Sequence, residues 1–414
     1  MKFNMLSTAQ LFSEITSHLR SNIDSLAARH SATIALRPFE SHGIQVSVRR
    51  LAPNNYKIYF PLGLLDRFIL LSSLFRFSTK IDPVDHVQSY TDRRQIEFHI
   101  PTRLKLVFDP NEAFCQETAQ SLAMEYCNHP ADFTLIQSVF DFVNFLLHHE
   151  LGHVSLGHLE YFEYCRSNDS EMTSDTLGYS EFDFRQGYEV AADQFAAMYF
   201  APSVIAKTQL FKKHGLPPSA ALSESIITIA LLVSLFDIRS RSLDIASAEF
   251  HPHPILRYSI INFGIAEALE ADGQKDLSDE YWRLTRKWAD SVSARIHGIY
   301  LSEMLREQRS VDLPEGTVPI CPLRFDKNPI NESIFWDYLT RTAERGRRMD
   351  MRINLHKEFN FFGLAGLREE FNKDLLTRWK HVKDRARSTS IVRDKVSAGA
   401  RFTSFYGPIR GCEE

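Results

Sequence analysis

Apolar residues fall at helical spacing over residues 7–30, where Leu11, Ile15, Leu19, Ile23 and Leu26 share one face, so the chain is expected to open with a helix. From Thr33 to Phe60 the period shortens. Ile44, Val46 and Val48 alternate with polar neighbours, and residues 56–60 alternate in part, which predicts short strands. Residues 64–77 read as a mostly buried helix, and residues 96–100 and 104–108 as a second strand pair around a Pro-Thr-Arg turn. Ile136, Val139, Phe140, Val143, Leu146 and Leu147 then predict a buried helix over about 132–156. A polar, acidic segment at 166–178 has loop composition. Another helix is expected to start near Gln186 and to stop at Pro202, with a further buried helix over 223–239. Residues 266–271, 280–305, 334–345 and 364–387 carry the stronger helical patterns beyond that.

The expected fold class is therefore α+β, predominantly helical. Three regions are expected: a strand-bearing α/β region at 1–130, a central region at 131–263, and a helical region at 264–414. The last is locally basic, with seventeen Lys/Arg against ten Asp/Glu over residues 341–414. That tail reads as a solvated helical face.

Composition narrows the picture. A net charge of −4 on 414 residues argues against general polyanion binding, so nucleic acid is not expected as a partner. The five cysteines (Cys115, Cys127, Cys165, Cys321 and Cys412) are scattered with no C-x-x-C pair, which fits reduced thiols in a cytoplasmic setting. No secretory signal pattern opens the chain, and the most apolar stretch, residues 226–238, is broken by Thr228, Ser234 and Asp237. It is expected to be a core helix and not a membrane span. No phosphate-cradling glycine motif and no G-x-S-x-G elbow occur, so a nucleotide partner and a serine nucleophile lack support.

The chemistry concentrates at His149-Glu150-Leu-Gly-His153, which spells H-E-x-x-H. Residues four apart stack on one helix face, so His149 and His153 can offer two imidazole nitrogens to one divalent ion. Glu150 is rotated by one position and can reach a metal-activated water as general base. Catalytic zinc usually takes a third protein ligand. His158 is one candidate, although on a continuous helix it would point about 180° away from His149. His148 is another, rotated off the shared face and better placed to pack or hydrogen-bond. Glu189 is the third, in Glu189-Val-Ala-Ala-Asp193 on the next predicted helix. Small residues beside it would let two helices lie close. Asp193 would share its face and could accept the free N–H of a metal-bound histidine. Further on, His251-Pro252 followed by Arg257 places two cationic or N–H donors where they could stabilise an oxyanion.

Taken in order, H-E-x-x-H, E-x-x-A-D and H-P-x-x-x-x-R resemble the motif set of the gluzincin metallopeptidases of the HtpX/Oma type. The likeness covers roughly residues 140–260. It implies zinc as cofactor, ligands His149, His153 and Glu189, general base Glu150, Asp193 as hydrogen-bond partner of a ligand, and transition-state contacts from His251 or Arg257. That family is usually membrane-embedded, whereas this chain has no evident spanning helix. The central stretch is also similar to soluble peptidases of the ImmA/IrrE and Lit kinds, which pair H-E-x-x-H with a downstream glutamate and cut particular intracellular proteins.

The expectation is a zinc-dependent endopeptidase acting on a protein or peptide substrate in the cytoplasm, with Tyr188 a further candidate donor to the oxyanion. Two alternatives stand beside it: a trigger-activated toxin or phage-defence peptidase with one host target, and an inactive gluzincin-like binding module.

Overall fold

The computed structural model describes residues 7–80 apart from 30, 42 and 44, and residues 133–167, 181–237, 254–285, 318–320 and 402–404. The second strand pair at 96–108, the acidic loop beyond Ser167 and the helices expected at 334–345 and 364–387 lie outside the described residues.

Helix α1 (Thr8–Arg29) leads into three strands, β1 (Thr33–Phe39), β2 (Ser47–Ala52) and β3 (Asn55–Pro61). β3 is central, parallel to β1 and antiparallel to β2. Asn54, in the left-handed region at φ 56°, makes the tight β2–β3 turn. One face of the sheet is apolar because Tyr56, Ile58 and Phe60 alternate inward. Phe60 meets Phe12 of α1 at a ring separation of 4.5 Å.

Helix α2 (Leu62–Lys80) follows the sheet directly, and α3 (Phe133–Ser155) lies against it with Phe68 and Phe142 stacked at 4.0 Å. After α3 come α4 (His158–Ser167), α5 (Glu181–Lys213), α6 (Pro218–Asp237) and α7 (Pro254–Ala271). A helical segment at residues 275–285 closes the bundle, and a short parallel pair, β4 (Val318–Ile320) and β5 (Phe402–Ser404), completes the described elements. The fold is thus mostly helical with a small three-stranded sheet. One apolar cluster runs from Leu11 through Val143, Ala197 and Ile229 to Leu284, so the regions separated at 130/131 share a core. The 263/264 boundary falls inside α7.

Helix α3 is buried almost all round and sits at the centre, flanked by α2, α5 and α6. Each fully buried Phe or Leu along it contributes about 1.5–3 kcal/mol, so its position is over-determined by packing. Two glycines set how near its partners approach. A Cβ on Gly152 of α3 would stand 3.1 Å from the Ala192 Cα on α5, and one on Gly264 of α7 would stand 2.8 Å from the Ala197 Cβ. α5 is therefore pressed against α3 on one side and α7 on the other. Gly264→Ala is expected to lower stability by about 1–2 kcal/mol despite alanine's higher helix propensity, because overpacking costs more than propensity returns. Thermal unfolding of that variant, and of Gly264→Ala with Ala197→Gly as its rescue, measures the clash.

α5 corrects an expectation. Pro202 does not stop it; the helix continues to Lys213. An interior proline costs about 3 kcal/mol, but tertiary contacts on both sides hold the helix together. Phe200, Ala201 and Val204 are fully buried, and Lys207 forms a buried ion pair with Asp141 of α3. The same lysine donates to Ser225 of α6 at 3.0 Å. Within α6, residues 218–235 are long and apolar enough to cross a membrane by composition, yet 72% of that stretch is buried inside the fold. It is the core helix its sequence predicts.

Candidate metal centre

Helical spacing and the close approach at Gly152 bring three predicted residues together where α3 meets α5. His149 Nε2 lies 3.3 Å from His153 Nε2 and 3.3 Å from Glu189 Oε2, and His153 Nε2 lies 3.8 Å from Glu189 Oε1. One ligand atom from each residue falls within a 4.8 Å set. Donors spaced around a tetrahedral ion at zinc–nitrogen and zinc–oxygen bond lengths are about 3.4 Å apart. The His149–His153 and His149–Glu189 spacings are close to that value, His153 meets the other Glu189 oxygen at 3.8 Å, and two imidazoles with one carboxylate are donors that zinc accepts.

Charge balance points the same way. Glu150 is 6% exposed, Asp193 is fully buried, and the Glu189 side chain is only 18% exposed. Against these three carboxylates stands the buried guanidinium of Arg257. With neutral histidines the cluster carries an excess of negative charge in a poorly solvated place, which favours a cation at its centre. His149 reflects this. Burial opposes its protonation, but hydrogen bonding and charge from Asp193 and Glu189 outweigh burial and push its pKa up to about 10.

Asp193 lies one turn past Glu189 on α5. Its Oδ1 is 2.8 Å from His149 Nδ1, the ring atom turned away from the other ligands. A proton held there leaves the Nε2 lone pair for a metal. Arg257 of α7 grips the same carboxylate with two bonds, donating from Nε to Oδ2 and from Nη2 to Oδ1, both at 2.7 Å. Burial alone would raise the Asp193 pKa, but Arg257 and then His149 hold it below the usual range. Arg257 in turn stays firmly charged, because Asp193, Glu189 and Glu150 outweigh the cost of its burial. The resemblance implies a transition-state contact from His251 or Arg257; in the structure Arg257 Nε and Nη2 bond Asp193 and hold that carboxylate beside His149. His251 lies outside the described residues.

The remaining candidates separate cleanly. His148 points away from the centre: its ring stacks on Tyr199 at 5.2 Å, and its Nδ1 lies 2.9 Å from the Asn144 carbonyl oxygen. Burial lowers its pKa to about 4, against the opposing pull of that carbonyl, so it is a neutral packing residue. The Tyr188 ring lies edge-on to His158 at 4.8 Å.

His158 departs from its sequence reading. α3 ends at Ser155, and Gly157, at φ 67°, turns the chain before α4 begins. The ring of His158 therefore returns to His153, with the two Nδ1 atoms 2.9 Å apart. The signal was present in the sequence, since a glycine two residues past the last helical position is where helices commonly reverse.

Comparison with family models, with curated proteins and with solved structures returned no match for this chain, so its chemistry is read from the site itself.

Proposed function

We propose that this chain is a zinc-dependent endopeptidase with a gluzincin-type core, acting on an intracellular protein in the cytoplasm. The observation that carries the proposal is that His149, His153 and Glu189 each bring one donor atom within 4.8 Å of the others, with Glu150 adjacent on the same helix. The order of the three sequence motifs supports the same reading.

His149, His153 and Glu189 would hold the zinc ion, which would supply Lewis-acid chemistry to a bound water and to the scissile carbonyl. The chain supplies the rest. Glu150 accepts a proton from the attacking water as its oxygen bonds to the carbonyl carbon. It returns that proton to the amide nitrogen as the C–N bond breaks. Asp193 keeps His149 in the tautomer whose Nε2 lone pair faces the centre, and Arg257 keeps Asp193 anionic. The low exposure of Glu150 strengthens each of these interactions, because little water competes with them.

The test is a cellular profile of new protein N-termini produced by the wild type and by a Glu150→Gln variant. Cleavages present with the first and absent with the second support the reading. Identical profiles would contradict it. One cleaved protein would mark a dedicated peptidase, and many a general one.

A further inference from the structure

His158 is 2% exposed, and its position is set from both sides. Gly157 turns the chain so that α4 starts beside the site, and Glu160 then anchors that helix to the sheet. The Tyr56 hydroxyl of β3 donates to Glu160, and Arg50 Nε of β2 stands 3.3 Å from its Oε1. The His158 ring is held between His153, at a ring separation of 5.1 Å, and Tyr188, at 4.8 Å.

Two imidazole Nδ1 atoms at 2.9 Å make a good hydrogen bond only if one carries a proton and the other a bare lone pair. A neutral imidazole has one N–H. If His158 were the donor, His153 would carry its proton on Nε2, facing His149 and Glu189, and could not ligate. If His153 is the donor, its Nε2 lone pair faces the centre. Resting on the metal-centre reading, we infer that His158 is a positioning residue: its bare Nδ1 accepts the His153 Nδ1–H and fixes the tautomer and ring angle needed to hold the metal.

The two ligand histidines then have unlike supports. His149 leans on a carboxylate clamped by Arg257, and His153 on an imidazole. An imidazole acceptor orients the ring without adding a fourth carboxylate to the cluster.

The experiment compares full-length wild type with His158→Asn, His158→Gln and His158→Leu. Zinc affinity is read by chelator competition, and ligand geometry by the visible spectrum of the cobalt(II)-loaded proteins. Asparagine places its amide oxygen near the position of Nδ1, and glutamine near that of Nε2. The inference expects His158→Asn to bind zinc within a few-fold of wild type with a similar cobalt spectrum. It expects His158→Gln and His158→Leu to lose roughly 10–100-fold in affinity, the usual cost of removing a ligand's hydrogen-bond partner. Wild-type affinity and spectrum in His158→Leu would overturn it. So would equal losses in the asparagine and glutamine variants, both of which retain a polar group, so the comparison stands even if the leucine variant fails to fold. A wild type that binds no zinc would instead bring down the metal centre, and the role of His158 with it.

Discussion

Glu150→Gln is expected to keep one zinc per chain and to lose peptide cleavage by about 10²–10⁴-fold, the usual contribution of a positioned general base. The two side chains have nearly the same shape, and Glu150 sits on a helix fixed by core packing over its whole length. Folding and metal binding are therefore undisturbed. What disappears is the ability to take up a proton and return it to the leaving nitrogen, because a glutamine amide does neither. Initial rates on a substrate recovered from the N-terminal profile, with zinc content measured on the same sample, separate the two properties. Wild-type rates in this variant would remove Glu150 from the mechanism. Loss of the metal would show that its carboxylate belongs to the binding set.

Arg257→Leu is expected to destabilise the fold by about 3–5 kcal/mol, the usual cost of leaving one member of a buried ion pair uncompensated. The stranded member is Asp193, which is fully buried and otherwise faces His149. Zinc affinity should fall with stability, since the carboxylate that orients His149 loses its clamp. A double variant, Asp193→Leu with Arg257→Leu, distinguishes the two effects. Removing both charges should restore much of the stability, because the uncompensated charge is gone, while zinc affinity stays low for want of a partner to His149. Denaturant unfolding and chelator competition on the two proteins measure this. A double variant no more stable than the single one would show that the pair is held for reasons other than charge compensation.

Much of the helical bundle is legible from periodicity. α1, α3 and α6 lie where apolar spacing puts them, and the alternation around Tyr56–Phe60 marks the central strand. His149, Glu150, His153, Glu189 and Asp193 are legible because each set shares a helix, and helical spacing is a local property. Two features are not local. The proline rule ended α5 at Pro202, whereas the Asp141–Lys207 pair and the packing of Phe200 and Val204 carry it onward. Arg257 was read beside His251 in the sequence, but its partner sits 64 residues back on a helix against which α7 docks. His158 is an intermediate case. The chain turns at Gly157 before His158, and a continuous-helix reading of that stretch sends its ring the wrong way.

Metal content of the purified full-length chain, determined by mass spectrometry before and after chelation and again for a Glu189→Ala variant, bears on the central claim most directly. The arrangement of His149, His153 and Glu189 predicts about one zinc per wild-type chain, removed by chelator and restored on adding zinc, and well below one in the variant under the same wash. A wild type that takes up no zinc, or a variant that retains it as tightly, would contradict the account.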